Sequence, residues 1–188
     1  MKKLFFGVFA MVVFAFASSD VSAQMGSDSN PMVGGAAMYK TKNIVENAVN
    51  SADHTTLVAA VKAADLVDTL ASAGPFTVFA PVNSAFAALP AGTVETLLKP
   101  ENKAALAKVL TYHVIAGDFS SKDVVKAIKK GNGKATFKTV AGGTLTGMIE
   151  GGKVVLMDEK GGRSTVTIAD VKQSNGVIHV VDSVLLPN

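Results

Sequence analysis

The amino-acid sequence predicts an α+β domain in which helices come first and strands follow. Between residues 41 and 130, apolar residues recur at spacings of three and four, which is the period of amphipathic helices. From Lys134 onward apolar and polar residues alternate, which is the period of half-buried strands. Three Gly-Gly pairs separate the later candidate strands and supply the positive φ that tight hairpins need. This segregation is typical of an α+β domain.

The first 23 residues have the pattern of a secretory signal peptide. Lys2 and Lys3 precede an apolar run from Leu4 to Ala17, and Val21-Ser22-Ala23 supplies small residues before a cleavage site. The run is shorter than the roughly 20 residues of a transmembrane helix, although an uncleaved anchor is an alternative. We therefore predict cleavage after Ala23 and export to the periplasm, the cell surface or the medium, with no stable membrane insertion of the mature protein.

Composition limits what the mature chain can be. The 188 residues are 48% hydrophobic and allow one domain of about 140 to 150 residues with a packed core. Cysteine is absent, which excludes disulfides and thiolate chemistry. The full chain has 18 basic and 15 acidic residues, and loss of Lys2, Lys3 and Asp20 leaves 16 and 14, a formal charge of +2. This small charge gives nucleic-acid binding little support.

The segment after the signal peptide is predicted to be a disordered arm over residues 24–40, followed by one domain over 41–188. Gln24 to Met38 is rich in Gly, Ser, Asn and Met and has no sustained period. The thioethers of Met25, Met32 and Met38 are possible ligands for a soft metal such as Cu(I). Their dispersal favours a simple tether.

Helices are predicted in the first half of the domain. One contains Ile44, Val45, Ala48 and Val49, and a second carries a single apolar stripe from Leu57 to Leu70. Asp53 is a candidate N-cap for the second helix, and Gly74-Pro75 provides its stop. A longer helix begins at Pro100-Glu101 and runs into Tyr112-His113, and a short one covers Ser121 to Ile128.

A buried strand interrupts these helices. Phe76, Thr77, Val78 and Phe79 are aromatic or β-branched, and Pro81 ends the run. Asn83 is predicted to cap a short helix whose inner face is formed by Ala85, Phe86 and Leu89. The remaining strands are predicted to form an antiparallel meander: Ala135 to Val140, Thr144 to Glu150, Lys153 to Met157, Ser164 to Val171, and Val177 to Leu186.

Three segments together resemble the signatures of fasciclin domains. They are Phe76-Thr77-Val78-Phe79-Ala80-Pro81 with Asn83-Ser84-Ala85-Phe86, then Tyr112-His113, then Asn175-Gly176-Val177-Ile178-His179-Val180-Val181-Asp182. Their order and spacing also match the family, and the resemblance covers Thr41 to Pro187. Val82 departs from the family, which usually has Thr there. The resemblance implies helices packed on a β-sandwich or wedge.

The same resemblance implies an exported, non-enzymatic protein of cell adhesion or matrix association. Its partner would be a cell-surface or matrix protein or a polysaccharide, with no cofactor. Some algal relatives bind carotenoids, so a carrier for an apolar ligand held between the layers is the alternative.

Histidines are the main candidates for chemistry in this chain. His54, His113 and His179 match no short metal-binding spacing, although three imidazoles would suit zinc. His113 lies on the apolar face of its predicted helix, and His179 lies in an apolar predicted strand. We therefore predict that each is partly buried and neutral, and that each donates one proton to a backbone carbonyl.

Catalytic motifs are lacking. Ser84 has no Gly-x-Ser-x-Gly context, and the Gly-Gly pairs lack the setting of a phosphate-binding loop. The Asp158-Glu159 pair is predicted to be a solvated hairpin tip. The sequence therefore predicts no enzyme activity.

Two surface regions are candidates for adhesion. The first is a basic cluster around Gly131-Asn132-Gly133, formed by Lys126, Lys129, Lys130, Lys134 and Lys138. These lysines could bind an anionic polysaccharide or a membrane surface; the alternative is that they are simply solvated. The second is Asp170-Val171, which lies where animal fasciclin proteins carry an Asp-Ile pair tied to integrin binding. Because the mature charge is small, the sequence favours contact near Asp170-Val171 over the lysines.

Overall fold

A computed structural model describes residues 30–188 of the protein. The predicted signal peptide and residues 24–29 lie outside the described residues. The helices are α1 Ile44–Ala48, α2 Thr55–Ala63, α3 Val67–Ala71, α4 Asn83–Ala87, α5 Thr93–Leu97, α6 Lys103–Tyr112 and α7 Ser121–Lys130. The strands are β1 Met32–Val33, β2 Ala36–Ala37, β3 Phe76–Pro81, β4 Val114–Ala116, β5 Lys134–Lys138, β6 Thr144–Glu150, β7 Lys153–Met157, β8 Arg163–Gln173 and β9 Gly176–Val181.

The long strands form one sheet of seven in the order β4-β3-β9-β8-β7-β6-β5. Strands β5 to β9 are the predicted antiparallel meander, and the α+β class is confirmed. Strand β9 then pairs in parallel with β3, while β3 pairs antiparallel with β4. A bridge between Ile115 and Thr139 joins the sheet's two edges. The predicted sandwich or wedge is therefore a single sheet curved almost into a barrel.

Two hydrophobic clusters lie on opposite faces of this sheet. Helices α1 to α3 and α6 pack on the outer face of β3 and β9, against residues such as Val78 and Ile178. The inner face holds Phe79, Leu145 and Leu156, which the curved sheet encloses together with α7. Alternate residues of β3 thus enter different cores, which explains its nearly continuous apolar sequence.

The prediction of a disordered arm over residues 24–40 is wrong for the part that the structure describes. The described part of the predicted disordered segment forms the β1–β2 hairpin, in which Val33 and Met38 are only 3% and 2% exposed. The Ala52 N–H donates to the carbonyl of Gly34 at 3.0 Å and ties the hairpin to the domain. Periodicity cannot detect strands of two residues, because such strands hold no repeat.

The predicted helix over Leu57 to Leu70 is also corrected, because it is two helices. Asp65 has φ of 60° between α2 and α3, so the chain turns there although it has neither Gly nor Pro. Asn83 is the first residue of α4 instead of its N-cap. Its Oδ1 accepts the Thr56 N–H at 3.0 Å, so this side chain serves the start of α2.

Candidate functional site

His113 is buried where α6 ends and contacts the last residues of the chain. It is 3% exposed, and its Nδ1 donates to the carbonyl of Val109 at 2.8 Å. Its Nε2 accepts the Leu185 N–H at 3.0 Å. Burial lowers the pKa of His113 to about 4. The side chain is therefore neutral at ordinary pH, and both of its nitrogens are occupied.

His179 has a similar environment on β9. Its Nε2 donates to the carbonyl of Phe119 at 2.8 Å, and its Nδ1 accepts the Asp170 N–H at 3.2 Å. The ring stacks on Phe79 with centroids 5.5 Å apart. Burial also lowers the pKa of His179. Both signature histidines thus bond a backbone carbonyl as predicted, and both are more deeply buried than predicted.

His54 differs from these two histidines. The Ser51 hydroxyl lies 2.8 Å from its Nδ1, while its buried Nε2 has no hydrogen-bond partner among the described residues. Burial lowers the pKa of His54 as well. Across residues 30–188, no three or more His, Asp or Glu side chains are grouped so that they could hold a metal ion. The three imidazoles are not brought together.

The other signature residues hold distant segments in place. Like the two histidines, most of them are buried: Thr77, Phe79, Pro81, Phe86, Tyr112, Asn175 and Gly176. Phe76 and Asn83 are half-buried, and Asp182 is exposed. The Thr77 hydroxyl donates to the carbonyl of Gly117 at 2.7 Å, and Tyr112 donates to that of Thr144 at 2.6 Å. Asp182 accepts the Thr165 N–H at 2.8 Å. These contacts are structural and leave no free reactive group.

Asn175 and Gly176 join β9 to the helical layer. The Asn175 Oδ1 accepts the N–H of Ile44 at 3.0 Å, and its Nδ2 donates to the carbonyls of Leu70 and Ser72 at 2.8 and 2.9 Å. A Cβ on Gly176 would lie 2.0 Å from the carbonyl oxygen of Phe76. Only glycine permits this approach of the two backbones.

Asp158 is buried, although its hairpin was predicted to be solvated. It is 6% exposed, and it accepts N–H groups from Gly162 at 2.7 Å and from Leu186 at 2.9 Å. Its carboxylate thus closes the β7–β8 turn and fixes the C-terminal segment. Glu159 is exposed as predicted and accepts the Thr144 N–H at 2.9 Å.

The predicted lysines lie on α7 and on β5, two elements that contact each other, and we call this set the lysine face. Lys129, Lys130 and Lys134 are all exposed, as are Lys126 and Lys138. Lys122 is exposed as well and lies one turn before Lys126 on α7, so it extends the surface. None of these six ammonium groups lies within 4 Å of a carboxylate in the part of the chain that the structure describes.

The second predicted surface, Asp170-Val171, is corrected. Val171 is fully buried, so it cannot contact a partner directly. Asp170 is half-buried, and its Oδ1 accepts the Ser121 N–H at 2.6 Å while the Ser121 hydroxyl donates to its Oδ2. Asp170 thus fixes the start of α7. This pair was suggested by its position in the family resemblance, which carries no information on burial; the pairing of β8 with β9 is irregular before Val171.

Two of the cavities among the described residues lie against the sheet. The cavity between α1 to α3 and the sheet has a volume of about 50 Å³ and is lined by residues such as Leu57, Val61 and Ile178. That volume is far below the roughly 300 to 1,000 Å³ of pockets for drug-sized ligands. A cleft of about 280 Å³ opens between α7 and strands β7 and β8, with Phe79 and His179 among its lining residues.

Comparison with known proteins gives the family. The model of the fasciclin domain matches residues 52–187. The chain belongs to the fasciclin domain family. Among relatives of this fasciclin domain, protein sll1483 from Synechocystis sp. is 49% identical over 161 residues, which are 86% of this chain and 82% of that protein.

One further relative and one solved structure are also similar to this chain. The cell surface glycolipoprotein MPB83 from Mycobacterium bovis is 37% identical over 123 residues, which are 65% of this fasciclin domain chain and 48% of that protein. The solved FAS1 domain pair from the insect cell adhesion molecule fasciclin I matches with a TM-score of 0.69 at 20% identity. The match covers 77% of this chain and 51% of that chain, and it confirms the fold.

Residues 30–188 of this fasciclin domain contain no helix that is long and apolar enough to cross a membrane. The described surface instead offers the lysine face and the cleft beside α7. Sequence reasoning found most of the lysine face from its charge run but missed Lys122. The spacing of four between Lys122 and Lys126 would have revealed it.

Proposed function

We propose that this fasciclin domain is an exported, non-enzymatic protein of surface association, and that its lysine face contacts an anionic polysaccharide of the cell surface or matrix. The observation that carries the proposal is a set of six exposed lysines on α7 and β5 that make no ion pair with another residue of the described part, 30–188. The predicted signal peptide and the family membership support the extracytoplasmic setting.

The helical period places the α7 lysines on one side of the helix. Lys122, Lys126 and Lys129 follow at spacings of four and three, opposite the buried Val124 and Ile128. The side chain of Asp123 is directed to the helix start, where it accepts the Ser120 N–H at 3.1 Å. The exposed surface of α7 is therefore dominated by positive charge.

Strand β5 continues this basic surface. Lys134 and Lys138 are exposed, while Phe137 between them is buried against α7 and the neighbouring strand. The helix and the strand that follows it thus both present exposed ammonium groups. Such an arrangement suits a polymer with repeated negative charges, because each weak exposed contact adds to the next.

A hydrolytic role is disfavoured by the one place where Ser, Asp and His approach one another. The Ser121 hydroxyl donates to Asp170, while His179 has one nitrogen on the Phe119 carbonyl and the other on the Asp170 N–H. Neither nitrogen of His179 is therefore available to take the proton of Ser121. The arrangement therefore lacks the serine–base hydrogen bond of nucleophilic catalysis.

A binding assay on immobilised anionic polysaccharide tests the proposal. In the test variant, Lys129, Lys130, Lys134 and Lys138 are replaced by Gln. The control variant replaces Lys62, Lys99, Lys103 and Lys160, which are exposed elsewhere, and thus has the same net charge. We expect the test variant to lose binding and the control to retain it.

A salt series completes this assay. Raising the ionic strength from 0.1 to 1 M shortens the Debye length from about 10 to about 3 Å, so wild-type binding should fall steeply. Equal losses in the test and control variants would mean that net charge alone matters. Binding that ignores both salt and the four substitutions would refute the role of the lysine face.

A further inference from the structure

The cleft beside α7 is an apolar space that the core does not fill. Helix α7 inserts Val124 into the end of the curved sheet, but Val125, Val154 and Val166 remain only half-buried around the opening. Its volume of about 280 Å³ is close to the lower range of small-molecule pockets. The cleft is partly open to solvent, so a ligand could enter it.

An irregular stretch of β8 accompanies the opening. The register of β8 against β9 shifts between Val166 and Ile168 and again before Val171. Within this stretch, Asp170 has φ of 60° and its carboxylate binds the start of α7. The bulged strand thus supports the first turn of α7 from one side and leaves Ala169 exposed on the lining.

Among the described residues, the lining of the cleft includes one lysine and no carboxylate. Lys153 lies on the lining at the β6–β7 turn, and no carboxylate lies within 4 Å of its ammonium group among residues 30–188. Its neighbour across the turn, Glu150, is held by Arg163 at 2.7 Å. Asp170 does not line the cleft, and its carboxylate accepts the Ser121 N–H at 2.6 Å. Among the residues that line the cleft, Lys153 carries the positive charge, so an acidic group would be favoured near it.

We propose that this cleft binds a single-chain anionic amphiphile. Its apolar chain would lie against Val125, Val154 and Val166, and its acidic group would lie toward Lys153. The volume is suited to one short chain, and the apolar lining would remove that chain from water. This inference does not rest on the lysine face; it gives the apolar-carrier role predicted from the sequence a location and a ligand class.

Calorimetric titration of the mature protein with decanoate tests the proposal, with decylammonium and decyl maltoside as headgroup controls. We expect decanoate to bind with one-to-one stoichiometry and both controls to bind about tenfold more weakly or worse. Val125→Trp fills the cleft and should weaken decanoate binding about tenfold or more. Val49→Trp is the matched control at an exposed valine on another surface and should bind like wild type.

Two further variants keep the test decisive. Ala169→Phe fills the cleft from an exposed position and replaces Val125→Trp if that protein does not fold. Lys153→Gln should weaken decanoate binding about threefold, whereas Lys160→Gln in the next turn should not. Absence of decanoate binding, or binding that both cleft-filling variants leave unchanged, would overturn the site. Equal binding of the three headgroups would overturn the anionic class.

Discussion

Replacing His113 by alanine is expected to lower the free energy of unfolding by about 3 to 5 kcal/mol at pH 7. The side chain is 3% exposed, so its removal leaves a cavity between α6 and the C-terminal segment. The Leu185 N–H also loses its acceptor at 3.0 Å and remains buried without a partner. That second effect alone costs about 1 to 3 kcal/mol.

His113→Gln separates the two contributions. A glutamine amide oxygen can occupy the place of Nε2 and accept the Leu185 N–H, although the contact with Val109 is lost. We therefore expect this variant to be more stable than His113→Ala by about 1 to 2 kcal/mol. If the two variants are equally unstable, the hydrogen bond to Leu185 contributes nothing and the packing of the ring explains the whole effect.

Proton binding gives this prediction a second signature. Burial lowers the pKa of His113 from 6.5 to about 4, so the unfolded chain takes up a proton first as the pH falls. The resulting destabilisation is absent above pH 6.5, grows as the pH falls below 6.5, and levels off below about pH 4. Since one pKa unit equals 1.36 kcal/mol, wild type loses about 2 kcal/mol through His113 by pH 5.

Urea unfolding of wild type and both variants at pH 7 and pH 5 measures these effects. The variants lack the titrating ring, so the stability gap to wild type should narrow by about 2 kcal/mol at pH 5. A gap that is the same at both pH values would refute the reasoning. If a chelator destabilises wild type as much as His113→Ala does, a metal site would replace the structural interpretation.

Two further predictions concern Asn175 and the processing of the chain. Asn175→Ala should lower the free energy of unfolding by about 2 to 4 kcal/mol, because it leaves the Ile44 N–H and two carbonyls without their partner. The control is Asn50→Ala at an exposed position, which should change the free energy of unfolding by about 0.5 kcal/mol or less in the same urea titration. The mature protein should begin at Gln24, and an intact mass of the exported protein that still includes residues 1–23 would contradict that prediction.

The strands of the meander were predictable because their signals are local. Thr144–Glu150 and Lys153–Met157 have the predicted bounds, since Gly151 and Gly152 mark the turn between them with positive φ. The parallel pairing of β3 with β9 was not predictable from periodicity. It joins segments about 100 residues apart, and no turn residue specifies such a partner.

Other errors arose where one side chain serves a distant backbone. Asn83 has the composition of a helix N-cap, but its acceptor oxygen binds the first turn of α2. Asp158 lies in a polar turn, yet the Leu186 N–H draws it into the interior. Both are tertiary contacts of polar groups, and a one-dimensional pattern reports the residue type without its partner.

The positions of the signature residues explain why family membership reveals the fold more readily than the partner. His113 holds the C-terminal segment, Asn175 holds the helical layer, and Gly176 permits the close approach of β9 to β3. Each joins segments that are distant in sequence, so each stabilises the packed domain. A binding partner, however, meets the outside of the molecule.

The outside has different physical requirements. Lys126, Lys129 and Lys134 make no ion pair with another described residue, and Val125 and Val154 line a cleft that the core leaves open. Changing these side chains alters charge and local shape with little effect on the buried contacts. A fasciclin domain can therefore keep its signatures while its surface is adapted to a different partner. The lysine face and the cleft, rather than the signature motifs, are the places where the specificity of this protein should be sought.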